Sequence, residues 1–315
     1  MSKWFEDFQQ RPSLDTAILL LKHERGNDDT KRENFGLSIY KTFMASKEEH
    51  SAPEMRRMYD ALLVWSRSNS DSKDKDARFI FDEIEKNKVP MDDFLFSTLT
   101  SIAAQKADLP LAERLASRWH RGPEIRLKRK SALICANQLI KIFTQSQDFE
   151  ACMGIYTVFL KGGMAPDVGL YSAMFGACVL CGRAHEAEGL YRDMREKGIS
   201  LEQMSFGYLT RACAHFKDDP GGATKLLVAA LTNPSSEASQ WHSKVAFQSC
   251  AQLISACQKQ GDLTAALSVF HFMTLHGIDA AETPQVFASL LTACGEAMAP
   301  ETGKKLHQLL RESKS

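Results

Sequence analysis

The sequence predicts an all-α fold in which pairs of short helices stack side by side into a solenoid. One observation is helical periodicity, because apolar residues follow the spacing i, i+3, i+4, i+7 in Tyr171, Met174, Phe175 and Cys178. A second is repetition, since this spacing returns in other segments with a period near 35 residues. A third is that no alternating pattern of a β-strand is visible. A hairpin with one apolar face buries that face only against neighbours, so tandem copies predict a stack.

The N-terminal elements follow the period least closely. Residues 1–55 are expected to form an irregular helical pair that caps the stack. Residues 56–132 are expected to hold two degenerate repeats, whose apolar patterns open at Tyr59 and at Phe96. A polar tract at 68–76 predicts a solvated loop between the two helices of the first degenerate repeat.

The regular repeats occupy the region 133–297. Three of them have 35 residues, and one has 44 because we place nine extra residues in a polar loop near Pro234. Gly163, Gly198 and Gly277 fall at the ends of second helices, where a left-handed backbone conformation favours glycine. The predicted repeats are 133–167, 168–202, 203–246 and 247–281, followed by a partial repeat at 284–315 whose residues 298–315 form a capping helix.

Composition and charge exclude several functional classes. Basic and acidic residues balance at 39 each, which argues against a general polyanion binder and leaves room for a local basic stripe. No apolar run reaches the roughly 18 residues of a membrane span, so we expect no membrane contact. The first residues of the given sequence resemble neither a signal nor a transit peptide, so either the cytoplasm or a leader outside this sequence is expected. Eight cysteines without a secretory leader predict a reducing compartment.

Residues that could carry chemistry have a simpler explanation in packing. Cys178 and Cys181 have the spacing of zinc ligands, but a structural zinc site needs four ligands and no second pair follows. Moreover Cys178, Cys213, Cys257 and Cys294 share one slot in successive first helices, which favours a buried small residue. No zinc-deaminase motif or spaced Asp cluster is present. We therefore expect no metal, no cofactor and no enzymatic activity.

A basic cluster precedes the helix that begins near residue 133. Its residues could contact phosphates at one end of a groove, which would make binding dependent on salt. The alternative is a solvated linker, because runs of charge usually face solvent. The cluster consists of Arg126, Lys128, Arg129 and Lys130.

One repeat carries a pattern that resembles the pentatricopeptide repeat (PPR) family. Its matching residues are Tyr171, Gly182-Arg183, Glu186-Ala187, Leu190-Tyr191, Met194 and Lys197-Gly198, preceded by Pro166-Asp167. A second good match lies between Leu253 and Gly277, and weaker matches extend to about residue 56. The tetratricopeptide repeat has a period of about 34 residues and a first-helix pattern that is absent here. The resemblance implies a right-handed α-solenoid of stacked helix-turn-helix repeats.

The resemblance also implies a ligand and a set of contact positions. Members of the family bind single-stranded RNA, with one base per repeat read by two or three side chains. In each repeat the fifth and last residues contact the base edge, and the second packs on the base face. Carried over to this sequence, the pairs are Asn137 with Asp167 (which implies uracil), Ser172 with Glu202, Ser97 with Leu127, Asp60 with Asp92 and Ala251 with Ala281, and Ile134 is the stacking residue beside Asn137.

Two functions therefore stay open. The first is a single-stranded RNA-binding adaptor in organellar RNA processing, stability or translation, located by resemblance in a mitochondrion or plastid. The second is a protein-binding scaffold subunit of a ribonucleoprotein complex with little sequence-specific RNA reading. The balanced charge favours the second function, as does the pair of Ala251 with Ala281, which has no hydrogen-bonding side chain. The expected partners are single-stranded RNA in the first case and other proteins in the second.

Overall fold

All regular structure in the described part of the chain is helical. The computed structural model describes residues 8, 13–23, 35–45, 50–68, 75–121, 127–199, 203–212, 224, 227–228, 231, 243–277 and 284–312. These residues contain fifteen α-helices, a 3₁₀ helix at Ala184–Glu186 and no strand, which confirms the all-α prediction. The helices are α1 (Leu14–His23), α2 (Phe35–Met44), α3 (Ala52–Ser68), α4 (Lys75–Lys86), α5 (Asp93–Lys106), α6 (Leu109–His120), α7 (Arg129–Gln145), α8 (Phe149–Lys161), α9 (Val168–Leu180), α10 (Ala187–Glu196), α11 (Gln203–Ala212), α12 (Ser243–Lys259), α13 (Leu263–Leu275), α14 (Pro284–Glu296) and α15 (Pro300–Glu312).

The helices belong to two compact bodies, which share α8. The N-terminal body comprises residues 1–146 and 154–164, and the C-terminal body comprises 147–153 and 165–315. In the N-terminal body, α1, α3, α5 and α7 pack in succession, and α2, α4 and α6 are the second helices of their hairpins. In the C-terminal body, α9, α11, α12 and α14 pack in succession, with α10, α13 and α15 as second helices. Each body is thus a stack of helical hairpins, as the tandem pattern predicts.

Buried side chains recur at the same slots of the first helices. Cys178, Cys257 and Cys294 are all buried in the interfaces that their helices form, which agrees with a packing role, and Cys213 lies outside the described residues. Burial raises the pKa of the Cys178 thiol to about 12, so this thiol is protonated and unreactive at neutral pH. Among the described residues, no three His, Cys, Asp or Glu side chains are grouped so that they could hold a metal ion.

Asp and Gly residues set the helix boundaries. Asp108 and Asp262 precede the second helices α6 and α13, and each accepts a hydrogen bond from a backbone N–H in the first turn. At the helix ends, Gly163, Gly198 and Gly277 have φ values of 70°, 68° and 65°, as the sequence predicts. A left-handed residue ends each helix with little strain only if it is glycine or a small polar residue.

Two large aromatic side chains fill gaps between helices of the N-terminal body. Trp65 of α3 is buried against Gly36 of α2, where an added Cβ would lie 2.6 Å from the indole ring. Trp119 of α6 is buried with its ring 5.5 Å from that of Phe96 and tilted edge to face. Both tryptophans therefore have a packing role, and Trp241 lies outside the described residues.

A polar network ties α2, α3 and the end of α4 together. The Tyr40 hydroxyl donates to Glu83 Oε2 at 2.6 Å, and Asn87 Nδ2 donates to the Tyr59 hydroxyl at 2.8 Å. Burial opposes the charged form of Glu83, but hydrogen bonds from Tyr40 and Lys86 outweigh it and lower the pKa of this carboxyl. Glu83 is therefore an ionised group whose long-range hydrogen bond, from Tyr40, exists only in the folded protein. None of the described helices combines the length and the apolar character that crossing a membrane requires.

Candidate functional site

The first helices α3, α5 and α7 present equivalent positions side by side. They pack in succession and, as first helices of tandem hairpins, run in the same direction. The residues Met58, Leu95 and Cys135 occupy one slot of these helices and are fully buried, which fixes the register between them. The residues immediately before these three therefore form one row along the helices. The residues three positions after that row form a second row on the same side. The first row is Arg57, Phe94 and Ile134, and the second is Asp60, Ser97 and Asn137.

Two large apolar side chains stand exposed in the first row. Phe94 of α5 is 44% exposed and Ile134 of α7 is 46% exposed. Exposed apolar residues are common singly, but adjacent ones at equivalent positions form a surface on which a planar group can stack. Sequence reasoning identified Ile134 and missed Phe94. The signal for Phe94 was present, because it is the second residue of the repeat that begins at Asp93.

Two polar side chains stand beside this apolar pair. The Oδ1 atom of Asn137 is shielded from solvent and accepts no hydrogen bond from any described residue. Leaving a shielded acceptor unpaired costs about 1–3 kcal/mol, which favours rotation of the amide toward any donor that approaches. The Ser97 hydroxyl donates to the Phe94 carbonyl at 3.2 Å, so its oxygen lone pairs stay available to accept a hydrogen bond. We refer to Phe94, Ser97, Ile134 and Asn137 as the α5–α7 face.

Positive charge surrounds the N-terminus of α7. Lys128, Arg129 and Lys130 are exposed on its first turn, and Lys128 makes no side-chain cap hydrogen bond. Asp93 of α5 provides the cap, since its carboxylate accepts the Lys128 backbone N–H at 2.8 Å and the Ser131 hydroxyl at 2.8 Å. Basic side chains and a helix N-terminus both raise the local potential, which one carboxylate offsets only in part. Arg126 lies outside the described residues.

The α3 end of the two rows is closed by an ion-pair triad. Arg56 Nε lies 3.0 Å from Asp60 Oδ1, and Arg56 Nη2 lies 2.6 Å from Asp92 Oδ2. Asp92 is also the N-cap of α5 and accepts hydrogen bonds from the backbone N–H groups of Phe94 and Leu95. Burial raises the pKa of Asp60, while the hydrogen bond and charge of Arg56 favour its ionised form. Sequence reasoning identified both carboxylates and missed the arginine between them.

The predicted positions in the C-terminal body have other surroundings. Asp167 is the N-cap of α9 and accepts the Leu170 backbone N–H at 2.8 Å. Ser172 is only 6% exposed, and its oxygen accepts a hydrogen bond from the Ser205 hydroxyl of α11 at 3.0 Å. This placement fits a contact between neighbouring helices. Glu202 and Ala281 lie outside the described residues, and Ala251 lies half-buried on α12.

Comparisons with known proteins agree with this arrangement of helices. The family profile described as PPR repeat matches residues 170–199 and 249–278. The crystal structure of the pentatricopeptide repeat protein PPR10 from maize matches 98% of this chain with 12% identity and a TM-score of 0.53. PPR10 in complex with an 18-nt psaJ RNA element matches with 13% identity and a TM-score of 0.51. The chain spans 40% to 42% of the length of these structures, and the likeness concerns the fold. No curated protein sequence matches the chain.

Proposed function

We propose that this chain, whose residues 170–199 and 249–278 match the PPR repeat profile, binds single-stranded RNA along the α5–α7 face. The observation that carries the proposal is the exposed pair Phe94 and Ile134 on adjacent helices, with the unpaired amide oxygen of Asn137 beside it. A protein of the same fold, PPR10, has been crystallised with an RNA element. The interaction we propose is stacking of bases on the apolar pair and hydrogen bonding at their edges.

Each part of the α5–α7 face supplies a different component of binding. A base stacked on Phe94 or Ile134 gains about 1–3 kcal/mol, with little preference for its identity. The Asn137 amide offers a donor and an acceptor, which matches the edge of uracil. Ser97 can accept a hydrogen bond from a neighbouring base. Lys128, Arg129 and Lys130, together with Arg126, contact the phosphates and make the affinity fall with salt.

The remaining base-edge contacts from the sequence stay part of the proposal. Asp167 stays a proposed base contact, through the carboxylate oxygen that is not used for the helix cap. Ser172 and Glu202 form the next proposed pair, and the burial of Ser172 makes it the weakest of the set. In this role the protein is an adaptor for RNA processing, stability or translation in a mitochondrion or plastid, and it acts by binding rather than by catalysis.

Fluorescence anisotropy with labelled RNA tests the proposal. The protein is titrated against an oligouridine and against an oligoadenosine of equal length, each at two salt concentrations. We expect tighter binding to oligouridine, a loss of this preference in Asn137→Ala, and a loss of affinity at higher salt. The matched control is Gln145→Ala, which truncates an exposed amide at the other end of α7. Equal affinities of wild type and Asn137→Ala for both RNAs would remove Asn137 from the proposal.

A protein-binding scaffold is the second candidate function. The observations that favour it are the burial of Ser172, the apolar Ala251 and the pairing of Asp60 and Asp92 with Arg56. These positions have little capacity to read bases. Two results together would favour the scaffold over the RNA adaptor. The protein does not bind random RNA pools at low salt, and it is recovered in a defined protein complex whose composition does not change after RNase treatment.

A further inference from the structure

Arg56 distinguishes the repeat at 56–92 from the two repeats that follow it. Arg56 is the first residue of its repeat, and the equivalent residues are Asp93 on α5 and Leu133 on α7. Only the first of these three places a guanidinium beside the fifth and last residues of its own repeat. Asp93 bonds instead to the start of α7, and Leu133 has no polar side chain.

The triad occupies the acceptors with which this repeat would contact a base. Asp60 Oδ1 and Asp92 Oδ2 both face Arg56, and Asp92 Oδ1 accepts the N–H groups that begin α5. Arg56 and Asp60 are partly buried, with side chains 25% and 32% exposed, and Asp92 is exposed. A base edge that takes these two oxygens displaces the guanidinium, and displacement would leave two carboxylates close together without a counter-charge. Hydrogen bonds to charged groups are among the stronger ones in proteins, so the exchange is unfavourable.

Charge around the triad acts in the same direction. Asp60 and Asp92 carry two negative charges against one positive charge on Arg56, and Arg57 is paired with Asp15 of α1 at 2.9 Å. The α3 end therefore carries net negative charge, whereas three basic residues surround the start of α7 in the same body. A phosphate backbone is repelled from the first and attracted to the second.

We propose that Arg56 closes the base-contacting position of the repeat at 56–92, so that this repeat contacts no base and the RNA contact ends at α5. The inference rests on the proposed function, because it names the boundary of the same binding face. Arg56 is then a residue that sets the length of RNA bound, through the two carboxylates it holds. Its replacement by an apolar residue should make one more position available.

The test converts the closed repeat into an open one. In the double variant Arg56→Leu with Asp60→Asn, the first, fifth and last residues become the same types as Leu133, Asn137 and Asp167. Binding is measured against a ladder of oligouridines that lengthens by single nucleotides. We expect the affinity of the wild type to rise with RNA length up to a plateau. The double variant should reach its plateau with an RNA one nucleotide longer, and its affinity there should be about tenfold higher. Arg57, which is largely exposed, can stack on the added base.

Two further variants keep the outcome interpretable. Asp60→Asn alone retains the bridge from Arg56 to Asp92, so its plateau should stay at the wild-type length. The double variant Arg56→Gln with Asp60→Asn keeps much of the side-chain volume of Arg56 and a hydrogen bond to Asp92. It replaces the leucine variant if thermal unfolding shows that the leucine variant does not fold. A folded double variant with the wild-type plateau overturns the closure by Arg56 and leaves RNA binding in place. A wild type that binds no oligouridine of any length overturns the proposed function and this inference with it.

Discussion

The Phe94→Ala substitution tests whether the exposed apolar row is a stacking surface. Phe94 is 44% exposed on α5, so truncation removes a surface ring and leaves the buried neighbours Leu95 and Phe96 in place. If a base stacks on this ring, its loss removes about 2 kcal/mol of binding free energy. At 1.36 kcal/mol per tenfold change, the affinity should fall about thirtyfold. This estimate of binding free energy includes no cation–π energy, because the group expected on the Phe94 ring is a base and not a cation.

The assay for Phe94→Ala is anisotropy with the oligouridine at which the wild type reaches its plateau, and circular dichroism melting runs in parallel. The control is Leu275→Ala, which removes an apolar side chain that is 68% exposed on the second helix α13. The control should bind within twofold of the wild type. A Phe94→Ala protein that melts as the wild type does and also binds within twofold would refute stacking at this position. Phe94→Trp should retain the affinity, since an indole offers a larger face to the base.

Three further predictions concern the stability of the fold. Asp93→Ala removes the carboxylate that caps α7, and we expect a loss of about 1–2 kcal/mol by chemical denaturation. Gly36→Ala places a Cβ 2.6 Å from Trp65 and should cost about 1–3 kcal/mol, while Gly189→Ala, with open space around it, should be neutral or stabilising. Glu83 has a lowered pKa in the folded state, so its contribution is present above the ordinary carboxyl pKa and is lost as the pH falls. In Glu83→Gln, denaturation midpoints should therefore differ from wild type at pH 7 and converge with it near pH 3.

Local features of the sequence were sufficient to predict the helices and their ends. The apolar spacing of Tyr171, Met174 and Cys178 is a property of one helix, so it is visible without knowledge of its neighbours. The turn at Gly198 is likewise local, because its φ of 68° depends on the residue itself. Cys178 and Cys257 were recognisable as packing residues because the same slot recurs in each repeat.

Contacts between distant residues were beyond the reach of the sequence pattern. Asp93 caps the helix of the next repeat through Ser131, which lies 38 residues later. Arg56 reaches Asp92 from the opposite end of its own repeat. Ser172 is a small polar residue at a position expected to be exposed, and only the approach of Ser205 makes it part of an interface. Periodicity defines which side of a helix faces its neighbours, but it does not define which polar groups find partners there.

The last residue of a repeat has a structural role that is independent of any ligand. Asp92 accepts N–H groups at the start of α5, and Asp167 accepts one at the start of α9. A helix preceded by Asp gains about 1 kcal/mol from this cap whether or not RNA is bound. An aspartate at this position is therefore weak evidence for base reading. Asn137 is stronger evidence, because no described residue donates a hydrogen bond to its amide oxygen. Substitution of Asn137 should accordingly reduce RNA affinity without reducing stability, and substitution of Asp167 should reduce both.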